Sequence, residues 1–350
     1  MSRYVAYDAV NTKIKSMMSK LLIEENWNRV LECKNVEQLV SVLKDSPEFE
    51  TILRGVEPHQ IHRDDLETAF GRLRVDEMER IIHYFSGPYK AFLQTLLFEF
   101  ELIDLILVIR KVSQHESMDD VRKHFVHSEK FSELAFDKLI ASSNIADLTA
   151  NLAANSKGSS FYEKLRNLSN EDIIKREFHI EMELQMYLYS NLFKRAKNLS
   201  YADRIEVEDI LGFKIDFENV QWIYRGMKYY NISPQEILIY CLPGGKRINY
   251  QGLKKLCYTK STEEMKSLAH KYLRKYDVFD VSEDSEIGIN MDRYFLKYLS
   301  KIDRNKKSIG TVLAYYYTNE IIFKDFIIMT EGIKYKVPVE ILEKYLTRIA

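Results

Sequence analysis

Apolar residues return every three to four positions along most of the chain. Nowhere do apolar and polar residues alternate long enough to predict a sheet. Tyr4 to Leu22 places Val5, Ala9, Ile14, Met17, Met18 and Leu21 at helical spacing. Short helices follow at Trp27 to Glu32 and at Val36 to Leu43, the second capped by Asn35, and Pro47 opens a turn through Leu53. Leu66 to Phe85 and Tyr89 to Lys111 predict a pair of long helices, each about 30–35 Å at 1.5 Å per residue. Ser86-Gly87-Pro88 breaks them apart, the glycine ending one helix and the proline opening the next.

This arrangement is predicted again twice. Phe131 to Ala141 and Ala146 to Ala154 are short helices, and Asn155 to Ser160 is a polar loop. A long helix capped by Ser169 then runs to about Asn198 and returns over Tyr201 to Lys228, with a kink at Gly212. Pro243-Gly244-Gly245-Lys246 is the strongest turn signal in the chain. Beyond it come helices at Tyr250 to Leu256 and Ser261 to Tyr276, and an acidic loop from Asp277 to Ile289. A last long pair spans Met291 to Ile302 and Gly310 to Lys334, and Val339 to Ile349 closes the chain.

Two sequence elements recur in order. Asp104 to Arg110, Asn219 to Arg225 and Asp325 to Glu331 each open on a polar residue, cross an apolar run and end on a charge six residues later. Each is followed by a helix-start signal, at Ser117 to Asp120, Ser233 to Glu236 and Val337 to Glu340. The segment Asn35 to Leu43 likewise matches Asn144 to Leu152 and, more loosely, Thr262 to Leu268. The copies lie a domain's length apart, far beyond the 20–50 residues of a solenoid repeat. The repeat divides the chain into units 1–128, 129–245 and 246–350 and predicts an all-α fold.

Composition narrows the function. The 350 residues are 46% apolar, enough for sizeable cores, and the formal charge of −1 gives no bulk attraction for nucleic acid. Only 12 glycines and 6 prolines favour helix. Three scattered cysteines, Cys33, Cys241 and Cys257, suggest a reducing compartment without a disulfide framework. The first residues lack the apolar core of a signal peptide. Phe92 to Val112 and Thr311 to Met329 have nearly the length of membrane spans. The first carries Glu99, Glu101 and Asp104, and the second Asn319, Glu320, Lys324 and Asp325. An acid at the bilayer centre costs about 3 kcal/mol, so both read as core helices.

No catalytic motif emerges. Gly244-Gly245-Lys246-Arg247 lacks the spacing and the Ser or Thr of a phosphate loop. His115, Asp119, His124 and His127 form the densest set of metal-ligating types, with His124 and His127 on one helix face, yet match no metal pattern. Glu99, Glu101 and Asp104 could form a carboxylate pair. Their counterparts in the other copies differ, and anchoring neighbouring helices or lining a shared interior suits them better. The tyrosines at 229, 230 and 315–317 suit packing better than base stacking, given the neutral charge. No catalytic residue, cofactor or metal is therefore expected.

Asn219-Val-Gln-Trp-Ile-Tyr-Arg-Gly-Met-Lys228, followed by Ser-Pro-Gln-Glu-Ile-Leu and Leu242-Pro-Gly-Gly245, resembles the C subunit of V-type ATP synthases from bacteria and archaea. That family is related to the d subunit of the eukaryotic vacuolar ATPase. Tyr4-Val-Ala-Tyr, Leu31 to Leu39 and Phe98 to Arg110 fit it too, so the resemblance covers nearly the whole chain. Glu331 departs from the basic residue of the other two copies.

The resemblance implies three similar helical domains around a pseudo-threefold axis, forming a funnel with no active site. It implies a central-stalk socket that receives the D and F shaft subunits and sits on the membrane rotor ring, coupling them for proton or sodium transport. That would place the chain in the cytoplasm, peripheral on the inner (plasma) membrane through its complex, with no span of its own. Arg110 and Arg225, each at the end of an apolar run, are the candidate partner contacts. Internal pairing, for instance with Asp104, Asp216 or Glu218 of adjacent helices, is the alternative for them. A general helical scaffold, or an enzyme with a site between repeats, are the alternative functions.

Overall fold

The computed structural model describes residues 3–21, 24–45, 53, 62–155, 170–230, 232–302 and 308–347. The described residues are helices, turns and loops, with no strand among them. Near the start lie α1 (Arg3–Leu21), α2 (Glu24–Leu31) and α3 (Val36–Lys44). Two long helices follow, α4 (Arg63–Ile82) and α5 (Gly87–Ser113). After a 3-10 turn at Val121–His124 come α6 (Phe136–Ile140), α7 (Ile145–Asn155) and α8 (Asn170–Ala196). Next are α9 (Tyr201–Lys228), α10 (Pro234–Ile239), α11 (Tyr250–Cys257) and α12 (Thr262–Leu273). The last are α13 (Ile287–Leu299), α14 (Ile309–Lys334) and α15 (Val339–Leu342).

The helix starts follow the caps written in the sequence. Asn35 accepts the Gln38 amide at 2.9 Å, and Ser233 accepts that of Glu236 at 3.3 Å. Ser200, Asn249 and Ser261 do the same for α9, α11 and α12. Each such bond satisfies one of the amides that a helix leaves open at its first turn, and is worth about 1 kcal/mol.

Residues 1–70 and 196–350 form one compact unit. Its centre is the packing of α9 on α14, with α10, α11, α12 and α13 against α9, and α1 and α3 against α14. α14 is apolar nearly all round and is buried accordingly, from Ile309 and Val312 to Met329. Aromatic rings fill the space beside α9. Phe213 stacks on Tyr298 at 4.4 Å, and Phe295 lies 5.8 Å away. Phe70 stacks on Phe323 at 4.8 Å.

Residues 71–195 form the second unit, in which α5 packs on α7, and α7 on α6. Phe92, Leu93, Leu105 and Val108 of α5 are fully buried there. Phe125, Phe136 and the His127 ring make a cluster, His127 stacking on Phe136 at 4.1 Å.

Several local expectations are corrected. α9 runs unbroken through Gly212. The glycine is there for proximity: the amide of Lys246 donates to its carbonyl at 3.1 Å, and a Cβ would meet the Gly244 carbonyl at 2.9 Å. His124 ends a 3-10 turn and His127 follows extended backbone, so they share no helix face. The helix expected over Phe131 to Ala141 covers only α6, and the loop expected to reach Ile289 ends where α13 begins at Ile287. The expected Ser169 cap and most of the turns at 47–53 and 155–160 lie outside the described residues.

α5 and α14 end alike. His115 and Lys336 each have φ 56°, the left-handed conformation that closes a helix. Glu116 then donates to Lys111 at 2.9 Å, and Val337 to Gly332 at 2.8 Å. A non-glycine residue pays a steric cost in that conformation. Lys336→Gly is therefore expected to raise stability by about 0.5–1 kcal/mol in urea unfolding. Gly245→Ala should lower it by about 1–3 kcal/mol, because its Cβ would sit 2.3 Å from Asp216 Oδ1.

Candidate functional site

Each of α5, α9 and α14 carries a polar side chain in the middle of an apolar run, and all three are used in one way. Asp104 is fully buried, and its Oδ2 accepts the amides of Val126 at 2.9 Å and His127 at 2.8 Å. The His127 ring adds Nδ1 at 2.7 Å. Asn219 holds Leu242 from both sides: its Oδ1 accepts the amide at 2.7 Å, and its Nδ2 donates to the carbonyl at 2.8 Å. Asp325, also fully buried, accepts the Thr347 amide at 3.0 Å and the Thr347 hydroxyl. The bonded residue lies 22 or 23 positions ahead in every case. Residues 104, 219 and 325 thus bind in one way. Each ties the chain that leaves the long helix back onto that helix.

A second anchor sits one turn earlier on α5 and on α9. Glu101 Oε2 accepts the amides of Glu133 at 2.9 Å and Leu134 at 3.0 Å, and the Ser132 hydroxyl at 3.0 Å. Asp216 accepts the amides of Arg247 at 2.7 Å and Ile248 at 3.1 Å. These partners are 31–33 residues ahead, and each acid stands three residues before its Asp104 or Asn219 partner. The counterparts differ as expected, glutamate on α5 and aspartate on α9, yet both acids are used alike.

Burial pushes both acids up, Glu101 to about 7 and Asp216 to about 6, while the backbone amides they accept oppose the shift. All three bonds to Glu101 fall on Oε2, which leaves Oε1 to carry a proton.

Arginines complete the pattern from a neighbouring helix. In one unit, Arg72 donates to the carbonyls of Phe125, Arg122 and Lys123. In the other, Arg293 donates to those of Leu346, Glu343 and Lys344. The separations are 53, 50 and 51 residues in both. A planar guanidinium can serve three carbonyls at once, which a lysine cannot match. No local pattern marks these arginines, because their targets are backbone atoms.

The six-residue step from each anchor leads to a charge near the helix end. Arg110 is half-exposed, with its guanidinium 3.9 Å from Glu181. Arg225 donates to the Tyr230 hydroxyl at 3.1 Å, and its guanidinium lies over that ring. Asp104 and Asp216 accept backbone amides, and Glu218 pairs with Lys214 at 3.3 Å, so Glu181 and Tyr230 are the internal partners seen beside the two arginines.

Arg225 and Glu331 border one groove of about 840 Å³ in the larger unit, formed by α9, α13 and α14. Ile287, Ile289, Ile327 and Ile328 give it apolar walls. Arg63, Glu67, Asp292 and Lys324 mark its charged rim, with Arg63 2.6 Å from Glu67 and Lys324 3.5 Å from Asp292. Among the described residues no group of three or more His, Cys, Asp and Glu could hold a metal ion. None of the described helices is long and apolar enough to cross a membrane.

Residues 10–345 match the family described as ATP synthase (C/AC39) subunit. The chain belongs to this family. The family is that of a non-catalytic subunit of A- and V-type ATP synthases. The C subunit of the A-type ATP synthase of Archaeoglobus fulgidus is 24% identical, over 97% of this chain and 95% of the relative. That of Pyrococcus abyssi is 23% identical over 69% of this chain, and the match spans 62% of the relative, less than two thirds of its length. The Methanosarcina mazei protein is 20% identical over 73% of this chain and 68% of its own.

Two outcomes test the anchors. Asp104→Ala leaves one buried and two part-buried donors without an acceptor, each worth about 1–3 kcal/mol, so it should cost about 3 kcal/mol or more in urea unfolding. Asn219→Ala should cost less. Glu101 binds its proton more tightly folded than unfolded. Its stabilising contribution is therefore full below pH 4.5 and is lost as pH rises through about 7. Glu101→Gln should flatten the fall in stability over that window, measured as midpoint against pH.

Proposed function

We propose that this chain is the central-stalk coupling component of a rotary ATP synthase or ATPase. In this reading its three repeat units, 1–128, 129–245 and 246–350, form a funnel-like socket. The socket receives the D and F shaft subunits and rests on the membrane rotor ring, passing torque for proton or sodium transport. The chain is then a peripheral, cytoplasmic part of an inner-membrane complex. It contributes no chemistry of its own.

The observation that carries the reading is the set of equivalent anchors at Asp104, Asn219 and Asp325. Three long helices braced in one way suit a part that must transmit force without yielding. Family membership supplies the machine in which such a part belongs. Arg225 supports the placement of the shaft, because its fork lies exposed at the border of a groove with apolar walls. Arginine in that setting can satisfy several carboxylate or carbonyl acceptors of a partner. Arg110 is assigned the same role in its own unit.

Co-purification from native membranes tests the whole reading, which expects the shaft proteins and the ring to accompany a tagged chain. Recovery of the chain without either would refute it. For the residue assignment, Arg225→Ala should melt near the wild-type temperature and bind the shaft proteins about 1–3 kcal/mol more weakly by titration calorimetry. Lost stability with unchanged affinity would leave Arg225 a structural residue only.

A further inference from the structure

One wall of the α9–α13–α14 groove is a strap rather than a helix. α12 ends at Leu273 and is followed by Arg274, whose φ of 59° and ψ of −108° are unusual for a side-chain-bearing residue. The chain then crosses to a 3-10 turn at Asp284–Glu286, and α13 begins beside it. Asp284, Ser285, Ile287 and Gly288 all face the groove.

Three donors from α9 and its end converge on a single oxygen of Asp284. The Tyr224 hydroxyl is 2.6 Å away, the Tyr229 hydroxyl 2.8 Å, and Lys228 Nζ completes the set. Lys266 of α12 stands 4.0 Å from the other oxygen and 5.0 Å over the Tyr224 ring. Phe279 of the strap packs against Tyr224 at 5.4 Å.

The latch is polar and lies at the surface. The Asp284 and Lys228 side chains keep 25% and 40% of their exposure. Such contacts are weakened by salt and can be replaced by a competing charge. Lys228 and the Tyr224 hydroxyl hold the Asp284 carboxyl well below the usual carboxylate range, so acid is not the key to this latch near neutral pH.

We propose that the segment from Phe279 to Glu286, which follows the buried Tyr276 and Val278, is a strap that sets the width of the groove, with Asp284 as its latch to α9. Releasing Asp284 frees the strap while α9, α13 and α14 keep their packing. The inference stands on the groove's geometry and does not depend on which partner enters it.

Hydrogen exchange on the full chain tests the release. In Asp284→Asn, amides 279–286 should exchange at least tenfold faster, with α9 and α14 unchanged. Raised salt should move the wild type the same way. Unchanged exchange would show that Phe279 and its neighbours hold the strap alone. A rise that spreads through α9 would make Asp284 a structural residue of the whole unit. Either result overturns the proposal. A second measurement reads the groove itself. A thiol introduced by Ile328→Cys should react with a maleimide several-fold faster when Asp284→Asn is added, followed by peptide mass. An equal rate would overturn the claim that the strap sets the width.

Discussion

The fold depends on what a buried helix does with a carboxylate. Asp104 and Asp325 lie fully inside, where an unpaired charge would cost several kcal/mol. The cost is met by aiming each group at backbone amides that would otherwise be unsatisfied where the chain turns away from a helix end. One interaction thus solves two problems. It gives the acid its donors, and it gives an irregular loop a fixed seat on the helix it has just left. Asn219 reaches the same end without charge, because an amide side chain can donate to and accept from the Leu242 backbone together.

The rest of each return is arranged around that seat. Where a loop must come close, α9 and α14 carry glycine. Cβ atoms at Gly226 and Gly332 would press on Ile237 and Leu342, the apolar residues of the returning turn. Where the loop shows carbonyls instead of amides, Arg72 and Arg293 supply the donors. Acid for amides, arginine for carbonyls and glycine for contact form one consistent set, and consistency at several levels is what holds a backbone in a single arrangement.

The sequence disclosed the anchors better than their targets. Asp104, Asn219 and Asp325 stood out because a polar residue interrupts a run of apolar ones at the same place in three copies. The same acids also explain two runs of nearly membrane length, whose charges are needed inside a protein core. What they bind was hidden, since a backbone amide has no side-chain signature. Arg72 and Arg293 were hidden for that reason too, each being one more charge on an amphipathic helix. The likeness of Glu101 and Asp216 was hidden because residue 322, where a third copy would stand, is the apolar Ile322. His124 and His127 misled by their spacing, which implies a shared face only if the backbone is helical. It is not, and His127 turns instead to Asp104.

The distribution of anchors bears on how such a chain could carry load. A pull on a long helix reaches its return loop through hydrogen bonds made inside the core, where water cannot compete for them and they are stronger than surface pairs. The surface pairs, such as that of Arg110 with Glu181 at 3.9 Å, are open to solvent and give way easily. Stiffness therefore resides in the buried anchors, and adaptability in the exposed charges beside the groove. Arg225 stands at the meeting of the two. It follows a buried run that begins at Asn219, so its backbone is held by the core while its guanidinium remains at the surface. A charge mounted on a rigid base loses less freedom on binding than one on a loose loop. That placement, more than the charge itself, is what the role proposed for Arg225 rests on.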